Sequence, residues 1–242
     1  WYTCYSSIYN KSEVHVMKLS FVLPCLNEEL TIGATLRELQ KVLPCIFCDY
    51  EVIVVDNGST DDSKLISLSF DFVKVITEPV KGYGSAIRAG VRAATGDYIC
   101  IFDLDTTYDL TSIPEMVLCL SSYDLVVGFR EYPIDSKFSL LNRFGVFVLS
   151  RIGNILFHTR IRDWHCGLRI FRRDVGLSCS SSGMEFASEV LIRSRLYAYV
   201  NVPVDMRNDT TGRKPKLRPF SDGIRHLKLM FRLLKESKDE VI

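Results

Sequence analysis

Five short segments constrain this chain more than anything else in it: KLSFVLPC (18–25), YEVIVVDNGSTDDS (50–63), FVKVITEP (72–79), DYICIFDLD (97–105) and YDLVVGFR (123–130). Their apolar stretches run on without alternating, and stretches with helical spacing separate them. A strand apolar on both faces must be covered on both faces, and strands that alternate with helices pair in parallel. The expected fold class is therefore α/β, a mostly parallel sheet flanked by helices on both faces.

The intervening segments agree. Between Glu28 and Leu43, the residues Leu30, Ala34, Leu36, Leu39 and Leu43 recur at helical spacing, and Pro44 stops the helix. Asn57 and Gly58 turn the chain after the second strand; Ser59 or Thr60 can cap the next helix, with Asp61 and Asp62 in its favourable first turn. GYGSAIRAGVRAA (82–94) and IPEMVLCL (113–120) read as helices. After Arg130 the pattern changes. The segment 138–158 places Leu141, Phe144, Val148, Ile152, Ile155 and Leu156 on one helical stripe. A helix is expected over 185–197, an extended stretch over 199–207 and a basic loop over 208–223. The final segment, 224–236, has Ile224, Leu227, Phe231 and Leu234 as an apolar stripe, with Arg225, Lys228, Arg232 and Lys235 between them. This divides the chain into an N-terminal extension (1–17), a main domain (18–223, with halves 18–130 and 131–223) and a basic amphipathic helix (224–242). Met17 opens the first strand, so a natural start there would make residues 1–16 an extension.

Bulk properties exclude several classes. The 242 residues are 47% hydrophobic and 24% charged, enough for a sizeable core, and the net charge of +1 gives no global field toward nucleic acid. No run of about 18 apolar residues predicts a membrane-spanning helix. The eight cysteines are scattered through apolar segments and read as reduced and mostly buried; the lone CIFC (45–48) is weak evidence for zinc. His15, His158, His165 and His226 do not cluster with carboxylates at metal spacing, and His165 reads as a packing or hydrogen-bonding residue. No GxSxG motif points to a hydrolase, and KGYGSA is not a phosphate-gripping P-loop, because its Lys precedes the glycines.

In open parallel sheets, ligands bind beyond the carboxyl ends of the strands. Pro24, Asn27 and Glu28 follow the first strand, Asp56 the second, Asp103 and Asp105 the fourth, and Arg130 the fifth. If the fourth strand persists, Asp103 and Asp105 project to one side. Two carboxylates at one edge suit a hard divalent cation held together with substrate phosphates. The bland alternative is a solvated strand end followed by a helix cap.

The segments LPCLNEE, VIVVDNGSTDDS, KGYGSAIRAGVRAATGDYICIFDLDTTYD, RDWHCGLRIFRRDV and GMEFASEVLIR occur in that order. Together, over residues 18–232, they resemble glycosyltransferase family 2, with its Rossmann-like GT-A fold, and within it the branch of dolichyl-phosphate mannose and glucose synthases and bacterial polyprenyl-phosphate glucosyltransferases. The resemblance implies that Pro24, Asn27, Glu28 and Asp56 hold the nucleotide, and that Lys81, Gly82 and Arg88 close over it. It makes Asp103 and Asp105 the DxD pair for Mg²⁺ or Mn²⁺ and the diphosphate, and Arg130 a basic residue at the donor site. The family's D-x-x-x-G-x-R element appears as Asp163, Gly167 and Arg169. Glu185 and Glu189 sit on the helix lining the sugar or acceptor side, and Arg207, Lys214 and Lys216 belong to the basic loop over the donor phosphates.

The implied reaction is inverting transfer of glucose or mannose from a UDP- or GDP-sugar to a dolichyl or undecaprenyl phosphate. The enzyme would sit peripherally on the cytoplasmic side of a membrane. A phosphomonoester is largely dianionic at neutral pH, so this acceptor needs no base. A family 2 enzyme acting on a glycan hydroxyl would need one, and Asp163 or Glu185 would be the candidates. A non-catalytic nucleotide-sugar-binding homologue and a pyrophosphate-releasing nucleotidyltransferase are the readings from other classes.

Overall fold

The computed structural model describes residues 17–132, 140–208 and 219–239. Seven strands form one sheet in the order β3-β2-β1-β4-β6-β5-β7. β1 (Lys18–Cys25) pairs in parallel with β2 (Asp49–Asp56) and β4 (Tyr98–Ile101), and β2 pairs in parallel with β3 (Val73–Thr77). β5 (Leu125–Glu131) pairs in parallel with β7 (Tyr199–Asp205), while β6 (Arg169–Arg172) runs antiparallel to both β4 and β5.

Side-chain alternation in the central strands feeds two cores. Leu19, Phe21 and Leu23 of β1 and Val52 and Val54 of β2 pack on one face, against α1 (Ile32–Val42) and α4 (Ile113–Cys119). Val22, Ile53, Val55, Ile99 and Ile101 pack on the other face. There they meet α3 (Tyr83–Ala93), α7 (Phe186–Arg193) and Val175 of α6 (Arg173–Ser178). α2 (Ser63–Leu68) lies beside α1 and β3. The expected α/β architecture is present.

Several expectations change in detail. β4 ends at Ile101, so Asp103 and Asp105 lie on the following loop and owe their placement to it, not to strand alternation. β3 is a half-exposed edge strand rather than a buried one. α1 begins at Ile32, leaving Leu30 in a turn and 65% exposed. No side-chain cap closes the start of α2; Asp61 instead accepts from Ser63 N at 3.1 Å and Ser63 Oγ at 2.5 Å. On α5 (Leu140–Phe157), Phe144 and Ile155 of the expected stripe face outward.

The last helix, α8 (Pro219–Asp239), begins before residue 224 and packs on α5 and α7. Its buried face carries Asp222, His226, Leu229, Met230 and Leu233, and the expected stripe residues Ile224 and Phe231 point to solvent. A helix with apolar residues at 227, 229, 230, 231, 233 and 234 offers two faces to a core, and the periodicity alone does not choose between them. None of the described helices is long and apolar enough to cross a membrane.

Candidate functional site

The turns after β1 and β2 interlock at the carboxyl edge of the sheet. Asn27, in a left-handed conformation (φ 52°), accepts from Thr60 N through Oδ1 at 2.8 Å. Glu28 N donates to Ser63 Oγ at 2.7 Å, and Asp56 Oδ1 accepts from Ser59 N at 3.1 Å. Glu28, Asp56 and Asn57 are all buried, and Pro24 lies opposite Val55, one position before Cys25, the partner of Asp56. Asn57 then organises a strap: its Nδ2 donates to the carbonyls of Glu78 (2.8 Å) and Val80 (2.9 Å), and its Oδ1 accepts from Gly82 N at 2.7 Å. This fixes the segment bearing Lys81 beside the turns after β1 and β2. Gly82 has φ 144°, and a Cβ there would collide with the Ser182 carbonyl. Arg88 donates to the carbonyl of Ser180 at 2.9 Å, so α3 is tied to the 180–183 loop.

The paired aspartates sit at the centre. Asp105 Oδ1 accepts from Thr107 N (3.1 Å) and Thr107 Oγ1 (2.6 Å), and the turn passes through Thr106 at φ 62°. Asp103 lies against the 163–169 loop, where a Cβ on Gly167 would stand 2.7 Å from Asp103 Oδ2. Gly167 N also donates to Tyr108 Oη at 2.6 Å. Burial pushes the Asp103 carboxyl up, and the carboxylates of Asp105 and Glu28 push it further, against Arg169 and Arg130. Negative charge crowded in this way favours a cation, and the all-oxygen donor set fits a hard divalent ion. Among the described residues no group of three His, Cys, Asp or Glu side chains stands ready to hold a metal. Two carboxylates completed by substrate phosphates is, however, the usual arrangement for Mg²⁺. Gly167→Ala is expected to displace the Asp103 carboxylate and cut turnover by at least about tenfold, because a misplacement near 1 Å costs far more than ordinary packing; steady-state kinetics checks this.

Arg130 and Asp163 form a buried two-pronged pair, with Nε–Oδ2 at 2.6 Å and Nη2–Oδ1 at 2.9 Å. Burial pushes the Asp163 carboxyl up, but the guanidinium more than offsets it and holds the group below the ordinary carboxylate range. Arg169 is fully buried and spends its guanidinium on backbone carbonyls: Cys166, Trp164 (3.4 Å) and Ala187 (2.6 Å). Glu189, also fully buried, accepts from Ser180 N and Ser181 N (2.7 Å) and pairs with Arg193 at 2.9 Å. Its carboxylate thus anchors the 180–183 loop. Glu185 stands at the N-cap position of α7 without a side-chain capping bond, and its Oε2 is buried with no hydrogen-bond partner among the described residues.

Arg207 is held by two carboxylates. Its N donates to Thr107 O at 2.8 Å, beside the paired aspartates, while its guanidinium bridges Glu38 (2.7 Å) and Asp109 (2.8 Å). Lys214 and Lys216 lie outside the described residues. Sequence reasoning missed Asn57, Tyr108 and the meeting of His165 with His226, whose ring centroids are 4.5 Å apart. The Asn-Gly turn signal was visible at Asn57, but not its side-chain partners; the two histidines carried no local signal.

Comparison with known proteins completes the picture. Residues 20–176 match the model of Glycosyl transferase family 2. The low-salt glycan biosynthesis hexosyltransferase Agl6 of Haloferax volcanii is 32% identical over 219 residues, covering 88% of this chain and 52% of the relative, so the chain spans about half that protein's length. A dolichyl-phosphate hexose transferase of the same organism is 29% identical over 209 residues, covering 85% of this chain and 89% of that protein. The crystal structure of Mycobacterium tuberculosis glucosyl-3-phosphoglycerate synthase, in complex with Mn²⁺, UDP and glucosyl-3-phosphoglycerate, superposes with a TM-score of 0.70. It is 22% identical and covers 90% of this chain and 80% of its own, a likeness of fold.

Proposed function

The chain belongs to glycosyl transferase family 2, and from that premise we propose that it moves a hexose, glucose or mannose, from a UDP- or GDP-sugar to a polyprenyl phosphate with inversion. The observation that favours this acceptor is the Arg130–Asp163 pair, which removes one of the two candidate bases and leaves Glu185 as the other. A carboxylate gripped at 2.6 Å by a guanidinium and held below its ordinary pKa is a poor general base. A hydroxyl acceptor needs such a base, whereas a phosphate dianion arrives ready to attack.

In this reading Asn27, Glu28, Asp56 and the strap held by Asn57 bind the nucleotide. Asp103 and Asp105 hold a divalent cation, Mg²⁺ or Mn²⁺, together with the diphosphate; when bound it supplies charge neutralisation at the leaving group. The Gly167 contact keeps Asp103 in place, and the chain's own contribution is in-line positioning. A single displacement turns an α-linked donor into a β-linked product. NMR of the isolated product should show the β anomer, and an α anomer contradicts the mechanism.

The lipid acceptor favours a peripheral position on the cytoplasmic face of a membrane. Phe144, Phe147 and Ile155 of α5 and Ile224 and Phe231 of α8 are exposed. The basic residues Arg225, Lys228, Arg232 and Lys235 of α8 are exposed as well. Apolar side chains flanked by cations suit the headgroup boundary of an anionic bilayer. The double variant Ile224→Ser, Phe231→Ser should weaken binding to anionic vesicles by roughly tenfold or more, from the apolar burial lost. Unchanged co-sedimentation would remove α8 from the membrane contact.

A further inference from the structure

We propose that Glu38 is a positioning residue for the loop that carries Asp103 and Asp105, a role that rests on the transfer reading above. β4 ends at Ile101, so no strand ladder holds that loop in register. Phe102, Leu104, Tyr108 and Leu110 root it in the core. Burial of these four does not by itself fix the polar residues between them. Asp105 accepts two hydrogen bonds from Thr107, and the chain between the two passes through Thr106 in the left-handed region. The place of Asp105 therefore depends on what holds Thr107.

A short backbone bridge does so. Arg207 N donates to Thr107 O at 2.8 Å and Asp109 N donates to Asp205 O at 3.0 Å, on either side of the Tyr108–Met206 pair. A bridge this short, at the end of the edge strand β7, opens easily on its own. Glu38 of α1 closes it from the side. Its carboxylate grips the Arg207 guanidinium with both oxygens, Oε2 from Nη1 at 2.7 Å and Oε1 from Nη2 at 3.0 Å. Oε1 also accepts from Leu110 N at 3.1 Å, and Arg207 Nη2 lies 2.8 Å from Asp109 Oδ2. One carboxylate thus holds both sides of the bridge, Arg207 beyond β7 and Leu110 beyond Tyr108.

A lone exposed ion pair would contribute little here. This one is two-pronged, shares its cation with a second carboxylate and adds a backbone N–H, and the Glu38 side chain is only 22% exposed. Its support is rigid, because Ile32, Leu36 and Leu39 of α1 are fully buried. Glu38 acts through others: through Arg207 and Leu110 on the bridge, through the bridge on Thr107, and through Thr107 on Asp105. Groups that orient a metal-binding side chain from behind set its affinity for the ion.

The test compares wild-type protein with Glu38→Ala and Glu38→Gln in two ways. Without ligand, hydrogen exchange at the Arg207 and Asp109 amides should speed up about tenfold or more in Glu38→Ala. Glu38→Gln, which keeps an oxygen for Leu110 N, should show a smaller rise. Calorimetry then measures Mn²⁺ binding in the presence of UDP and of GDP. Glu38→Ala should weaken it about tenfold, the low end for loss of a group behind a metal ligand. Its Tm should fall by no more than about 5 °C. Adding Glu38→Ala to Arg207→Lys should cost little beyond Arg207→Lys alone, because both break one bracket. Should Glu38→Ala fail to fold, Glu38→Gln carries both measurements with smaller shifts. Unchanged amide exchange overturns the proposal. Weaker Mn²⁺ binding with the amides still protected overturns it too, since lost negative charge then explains the effect. Faster exchange with Mn²⁺ affinity within about twofold of wild type makes the bracket a feature of the fold alone, and likewise overturns it. Wild-type protein that binds Mn²⁺ with neither nucleotide is a different result, which removes the transfer reading itself.

Discussion

Asp105→Ala should lower turnover by about 10²–10³-fold or more while leaving the fold intact, on the scale of losing one preorganised charge-stabilising group. Asp105 is the better probe of the pair because Asp103 is wedged against Gly167. Asp105 also has a structural duty, since its Oδ1 receives two hydrogen bonds from Thr107. Asp105→Asn separates the two roles: the amide oxygen can still accept from Thr107, but the charge is gone. Equal inactivity of the Asn and Ala variants, with the divalent ion required for half-maximal rate raised, assigns the effect to charge at the diphosphate. Near-normal turnover in Asp105→Asn would reduce Asp105 to a turn former. Initial rates against Mn²⁺ concentration give the answer.

Arg130→Met should produce the largest loss of stability. The substitution roughly keeps the side chain's length but leaves the Asp163 carboxylate buried and unpaired, which costs about 3–5 kcal/mol. For a chain of this size that corresponds to a fall in Tm on the order of 10 °C. The pH dependence carries the signature. In the wild-type protein the depressed Asp163 pKa contributes stability above the unfolded carboxyl pKa and loses it as pH falls through the folded value. Without Arg130, burial raises the Asp163 pKa against only the weaker help of the His165 N–H, which still donates to Oδ1, so the variant's penalty is full at neutral pH and shrinks as acid protonates the group. The Tm gap between the two proteins should therefore narrow between pH 7 and pH 5. A gap constant across that range would mean that Arg130 contributes packing and not charge.

How much of this could be read from the sequence depended on whether the signal was local. β1, β2 and β5 each combine a continuous apolar run with a polar exit, so their identity and the residues at their tips were legible. β6 was not: Arg169-Ile170-Phe171-Arg172 is four residues long with an arginine at each end, and nothing in it resembles a buried strand. Its first arginine is buried because backbone carbonyls of Trp164, Cys166 and Ala187 receive it, and carbonyl positions are a tertiary property. Arg207 shows the same limit. Its place in the chain pointed to the basic loop, but not to Glu38 on α1 and Asp109, with which its side chain pairs. On α8 a surplus of apolar residues hid the buried face, and with it the approach of His226 to His165.

The central claim is that a hexose passes to a lipid phosphate without a protein base. Purified protein with Mn²⁺ or Mg²⁺ would be given radiolabelled UDP-glucose, GDP-mannose and UDP-GlcNAc in turn. Each donor would be offered a short-chain polyprenyl phosphate in detergent, a soluble oligosaccharide and 3-phosphoglycerate. The account predicts label in the organic phase from UDP-glucose or GDP-mannose, only with the lipid phosphate, and its loss in Asp105→Ala. Label passing to the oligosaccharide or to phosphoglycerate, with none in the lipid, would contradict it and return Glu185 to the position of a candidate base.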